Sequence, residues 1–171
     1  MVSATFASTI DQPWLHLPPL NLGDETIRGG EPNRYVLIET DSGHLRCDIR
    51  DSEHSMFEDA QVWRGLLIIG YGARLHCIDL ATRSVKTHVL EWYFQGILKS
   101  DDYCLVSSAQ QLLRINPDGS IRWMVPHVGL DGVIVDSVEE GIVSGQGDWD
   151  PPGGWRPFKV SLSSGEMLKA G

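Results

Sequence analysis

Three stretches of the chain carry one pattern: Ala60-Gln61-Val62-Trp63-Arg64-Gly65-Leu66-Leu67-Ile68-Ile69-Gly70, Ile97-Leu98-Lys99-Ser100-Asp101-Asp102-Tyr103-Cys104-Leu105-Val106-Ser107, and Ile134-Val135-Asp136-Ser137-Val138-Glu139-Glu140-Gly141-Ile142-Val143-Ser144. Each begins 37 residues after the one before. In every copy a short apolar-bearing run meets a polar turn (Arg64-Gly65, Asp101-Asp102, Glu139-Glu140), and a second apolar run ends in a small residue. Apolar runs bounded by turn residues read as strands. A fixed period marks a fold made of stacked units, each too small to bury its own apolar face.

The copies stay parallel beyond the quoted stretches. A third run follows in each: Leu75–Leu80, Leu112–Pro117 and Pro157–Leu162. A turn comes next (Ala81-Thr82-Arg83, Asp118-Gly119, Ser163-Ser164-Gly165), then a fourth run: Ser84–Val89, Ser120–Val125 and Glu166-Met167-Leu168. Asp-Gly suits such a turn because glycine accepts positive φ without a Cβ clash. The units therefore read as four-stranded antiparallel meanders over residues 60–91, 97–125 and 134–171. A partial unit spans 35–59, with strands at Tyr35–Thr40 and His44–Ile49 around Asp41-Ser42-Gly43. Residues 1–34, rich in Pro and Gly, read as an extended lead-in that contributes one edge strand. Ser55-x-x-Glu58 is a helix-capping pattern, yet the repeat makes 60–63 a strand, so a single helical turn before that strand is expected.

The turns Asp79-Leu80-Ala81-Thr82-Arg83 and Asn116-Pro117-Asp118-Gly119-Ser120 resemble those between the outer strands of β-propeller blades, with quinoprotein-like repeats the nearest comparison. The resemblance covers about residues 56–171 and lacks the Gly-His and Trp-Asp signature of the best-known propeller repeats. It implies an all-β fold with three to four blade-like meanders, and a length of 171 residues at about 100–200 per domain predicts one domain over 1–171. Closed propellers have about four to eight blades, so three arrangements follow: a fourth sheet completed by the N-terminal segment, an open arc or twisted sandwich, or a homodimer covering the open end.

Composition bounds the function. The 171 residues carry 14 Lys+Arg against 23 Asp+Glu, a net charge of −9. Nucleic-acid binding relies on Lys and Arg to displace phosphate counterions, so a nucleic-acid partner is not expected. The longest strongly apolar stretch, Leu66–Ile69, is far short of a membrane span. Arg28 is the first basic residue, which leaves no charged start of a secretory signal. Three widely spaced cysteines (Cys47, Cys77, Cys104) suit a reducing compartment. A cytoplasmic protein without membrane attachment is the expectation.

The repeat breaks once. Between Ser144 and Pro157 about eight extra residues read as an inserted loop, Gly145-Gln146-Gly147-Asp148-Trp149-Asp150-Pro151-Pro152-Gly153-Gly154-Trp155-Arg156. Such loops commonly carry recognition. Trp149 and Trp155 would then be contact residues beside Asp148 and Asp150; the plainer alternative is that both rings fold back over the core. Residues 131–150 hold six acids, including Asp136, Glu139 and Glu140, and no Lys or Arg. Residues 11–60 hold eleven acids against four basic residues, Asp48, Asp51, Glu53, Glu58 and Asp59 among the acids. An acidic face aids solubility, and it also complements a basic partner.

No G-x-S-x-G, P-loop or H-E-x-x-H pattern is present, and Gly70-Tyr71-Gly72 is explained by a hairpin turn. His44/Cys47 and His76/Cys77 lack metal-ligand spacing, and neighbours on a strand point to opposite faces. The reading is a non-enzymatic binding protein with no cofactor or metal. In size and acidity it resembles bacterial immunity proteins, which block nuclease toxins. That resemblance implies a basic toxin as partner, met by Asp148, Trp149, Asp150 and Trp155 with Asp136, Glu139 and Glu140 in support. The alternative is a small-molecule or carbohydrate site at Trp149 and Trp155, with or without hydrolysis by the adjacent aspartates.

Overall fold

A computed structural model describes residues 2–24, 26–27, 30–41, 43–52, 55–150 and 152–169. Arg28, Ser42, Glu53 and Pro151, each used in the sequence reading, lie outside the described residues. The chain is all-β, with four sheets in succession.

The first sheet contains β1 (Ser3–Ala7), β2 (Leu20–Gly23), β3 (Arg34–Thr40) and β4 (Gly43–Arg50) in the order β1-β3-β4-β2. The β3–β4 hairpin is the expected partial unit. The lead-in gives both edge strands, where one was expected: β1 pairs antiparallel with β3, and β2 runs parallel to β4. Along β4, Leu45, Cys47 and Ile49 point into the core, while His44, Arg46, Asp48 and Arg50 alternate onto the other face. That polar face is covered by the segment joining β1 to β2. Its short 3-10 turn, Trp14–His16, sets the Trp14 ring edge-on to His44 at 5.3 Å, and Arg46 donates to the Leu15 carbonyl.

The second and third sheets are the meanders that the repeat predicts. β5 (Glu58–Trp63), β6 (Leu66–Tyr71), β7 (Arg74–Asp79) and β8 (Val85–Val89) pair in chain order, as do β9 (Phe94–Lys99), β10 (Cys104–Ser108), β11 (Leu112–Ile115) and β12 (Ile121–Val125). β5 starts at Glu58, and no helical turn occupies residues 55–57. Arg64 and Gly65, at φ 49° and 81°, form the two-residue turn whose left-handed backbone matches strand twist. Glu140 and Gly141, at φ 50° and 77°, do the same in the fourth sheet.

The fourth sheet has three strands: β13 (Gly132–Glu139), β14 (Ile142–Asp148) and β15 (Trp155–Ser161). The expected fourth run forms a single bridge, Val160 to Met167. Half of the expected inserted loop is strand, since β14 runs through Asp148 and β15 starts at Trp155. Gly145 and Gly147 are strand residues that let neighbours approach. A Cβ on Gly147 would stand 1.9 Å from the Val128 carbonyl oxygen, and one on Gly145 would stand 2.5 Å from the Phe158 ring.

Three apolar clusters join the sheets in sequence. Val36, Ile38, Cys47 and Ile49 of the first meet Leu67, Ile69 and Ile78 of the second. Leu66, Ile68, Leu75 and Cys77 meet Phe94, Cys104, Val106 and Ile115 of the third. Leu105 and Leu112 then meet Val133, Val143, Phe158 and Val160 of the fourth. Among the described residues no such cluster joins the fourth sheet back to the first, and the sheets do not close into a barrel.

The 37-residue period reappears as hydrogen bonds between neighbouring sheets. Trp63 Nε1 donates to the Ser100 carbonyl at 2.6 Å, and Lys99 Nζ donates to the Val62 carbonyl at 2.7 Å. One sheet further on, the Val133 amide donates to Gln95 Oε1 at 2.6 Å. Partners in these bonds are 37 or 38 residues apart.

Candidate functional site

Four loops meet at one end of the second, third and fourth sheets: residues 90–93, 109–111, 126–131 and the loop that holds 149–150 and 152–154. Backbone hydrogen bonds stitch them together. Ala109 N donates to Tyr93 O, Val128 N to Gln110 O, and Leu130 N to Asp148 O. The Tyr93 hydroxyl lies 2.6 Å from the Asp131 carbonyl and 2.9 Å from Asp131 Oδ1, and Gln110 Nε2 donates to the Leu130 carbonyl. These bonds hold open a cavity of about 260 Å³ lined by Trp92, Tyr93, Gln110, Leu130, Asp131 and Asp150.

Trp92 projects from this end for a backbone reason. Its φ of 61° is left-handed, a conformation disfavoured for a bulky side chain and tolerated where the surroundings impose it. The ring is 67% exposed. Tyr93, the next residue, turns inward and stacks on Phe57 at 5.9 Å. Burial, then the hydrogen bond to Asp131 and the charges of Asp131 and Asp148, push the Tyr93 phenol up to about 12. The hydroxyl therefore keeps its proton and stays a donor to Asp131. Sequence reasoning missed Trp92 and Tyr93, and the signal that marks them is their place between the units 60–91 and 97–125.

Charge is arranged unevenly across the sheets. In the first two, carboxylates pair with cations: Arg46 forks onto Asp48 at 2.6 and 2.8 Å, Arg74 reaches Asp51 at 2.6 Å and Asp24 at 3.3 Å, and Arg34 reaches Glu58 at 2.9 Å. Asp131, Asp136, Glu139, Glu140, Asp148 and Asp150 pair with no cation among the described residues. Their field is left to solvent or to a partner.

The structure brings some of the sequence-predicted residues together and separates others. Asp148, Trp149, Asp150 and Trp155 lie at the loop end. Asp148 pairs across the ladder with Trp155, and its Oδ1 accepts from the Asp150 amide at 3.1 Å. Trp155 is half exposed and stands over Gly132, whereas Trp149 is partly buried with the Arg156 guanidinium 5.8 Å above its ring. Asp136 sits at a bulge midway along β13 and accepts from Gln146 Nε2 at 3.2 Å. Glu139 and Glu140 are at the opposite hairpin turn, roughly 20 Å from Asp148 at the rise of a strand.

The cysteines are core residues. Burial pushes the thiols of Cys47, Cys77 and Cys104 up to about 12, which keeps them protonated and unreactive. No helix among the described residues is long and apolar enough to cross a membrane.

The architecture is all-β, with the second and third sheets four-stranded antiparallel meanders. No family model matches the chain, and no curated protein matches it. Among solved structures it is similar to the WD40 domain of Pan2 from Neurospora crassa, with 12% identity and a TM-score of 0.46 over 79% of this chain and 45% of that one. It is also similar to the extracellular domain of a putative one-component system from B. thetaiotaomicron, with 17% identity and a TM-score of 0.41 over 79% of this chain and 20% of that one. The chain thus spans under half the length of either.

Proposed function

We propose that this chain is a non-enzymatic protein-binding module whose loop end receives a basic partner protein, and that the partner is a bacterial toxin which this chain neutralises. One observation carries the reading: Asp131, Asp148 and Asp150, which have no cation among the described residues, share the loop end with exposed Trp92, Leu130 and Trp155. Large rigid aromatic side chains make the anchors of protein interfaces. Unpaired charge around them speeds encounter with an oppositely charged surface and disfavours wrong partners.

Size and acidity support the immunity form of this reading. The test is co-expression with the product of the adjacent reading frame, followed by size-exclusion chromatography and a growth assay of that product with and without this chain. A stable complex and restored growth are expected. A neighbour that is harmless alone and elutes separately overturns the toxin assignment.

A further inference from the structure

The second and third sheets are sealed by one aromatic ring, and the junction of the third with the fourth has no counterpart from β13. Between the second and third sheets the Phe94 ring fills the space over Gly70, where a Cβ would stand only 2.1 Å from it, and the ring is completely buried. Ser107 lies 37 residues after Gly70 and faces the fourth sheet in the same way, with Leu105 beside it. β13 contains no aromatic residue and offers Val133, Ile134 and Val135 instead. An apolar groove of about 370 Å³ stays open there, walled also by Ile97, Leu105 and Ser107. It reaches the site already described, because Phe57 lines it and stacks on Tyr93, which lines the end cavity.

We infer that this groove takes one aromatic side chain from an extended, lysine- or arginine-rich segment of the partner, seated as Phe94 is seated one sheet earlier. The inference rests on the basic-partner reading. The groove supplies an apolar socket, and Asp131, Asp136 and Asp148, on or beside β13, supply unpaired charge for flanking cations. Flexible apolar probes of other shapes would fill the socket less well, since its counterpart in this chain is closed by a flat ring.

The probe is a short lysine-rich peptide with one central phenylalanine, compared with the same peptide carrying alanine. Binding to the full chain is read by fluorescence anisotropy, and the groove is read by NMR of labelled Ile, Leu and Val methyls. Gly96 also lines the groove, and a Cβ there meets only Ser107 Oγ at 3.8 Å, so Gly96→Leu places its side chain in the socket from a position with room for the Cβ. The phenylalanine peptide should bind at least about tenfold tighter than the alanine peptide and shift the Ile97, Val133, Ile134 and Val135 methyls. Gly96→Leu should remove that advantage while leaving the alanine peptide unaffected, and Gly96→Ala should fall between. Equal binding of the two peptides, or an undiminished advantage in Gly96→Leu, overturns the groove and leaves the acidic-surface reading standing. Binding of neither peptide overturns both.

Discussion

His76 gives the structure a measurable response to acid. It lies on β7, is 1% exposed, and its Nδ1 is 2.9 Å from Thr87 Oγ1, while its Nε2 has no partner among the described residues. Burial first, then the charge of Arg74, lowers its pKa from 6.5 to about 4; Asp51 opposes the shift and His88 adds to it. The folded protein thus holds His76 neutral, while the unfolded chain takes a proton there near pH 6.5. Stability from this group is fully present above about pH 6.5, declines as pH falls through the window to about 4, and is lost below it. A lowering of this size corresponds to roughly 3 kcal/mol. Urea unfolding followed by Trp fluorescence, from about pH 7.5 to about pH 4.5, should show wild type losing most of that amount relative to His76→Leu. Carboxylate titrations act on both proteins and largely cancel in the difference. Parallel pH profiles for the two proteins would refute the assignment of a buried neutral imidazole.

Three further outcomes follow from particular contacts. Gly70→Ala puts a methyl into the Phe94 ring and should cost about 1–3 kcal/mol in urea denaturation; an unchanged midpoint would mean the ring is not seated there. Arg46→Leu removes the forked partner of Asp48, 1% exposed, and leaves it Arg50 at 3.7 Å, so it should destabilise by roughly 1.5–3 kcal/mol, whereas Arg83→Leu, on an exposed turn, should change little. A spectrophotometric tyrosine titration should show one phenol ionising near 12, and Tyr93→Phe should remove that step alone.

Much of the fold is legible in the sequence because each repeat buries the same positions. Leu66, Ile68 and Gly70 face the next sheet, and Tyr103, Leu105 and Ser107 repeat that face 37 residues later. The first sheet escapes this logic. Its edges come from β1 and β2, which join the β3–β4 hairpin by non-local pairing, one of them parallel, and no local period encodes such a choice. In the fourth sheet glycine misleads: Gly145 and Gly147 have loop composition, yet they stay in the strand so that Phe158 and Val128 can approach.

The site was legible as charge and less so as shape. The run of acids without Lys or Arg is visible directly, and so are Asp148 and Trp155. Trp92 looks like any aromatic in an apolar run, and only its left-handed backbone turns it outward. Glu139 and Glu140, close to the other acids along the chain, are carried to the far turn by the length of β13.

The account's central claim is that the unpaired acids of the loop end steer a basic partner. Its most direct test is the association rate with the adjacent gene's product, measured by stopped flow across ionic strength for wild type and for Asp131→Asn/Asp148→Asn/Asp150→Asn. The account predicts a wild-type rate that falls steeply with salt, and a variant that associates at least about tenfold more slowly at low salt with a flatter dependence. Equal rates with equal salt dependence would contradict it.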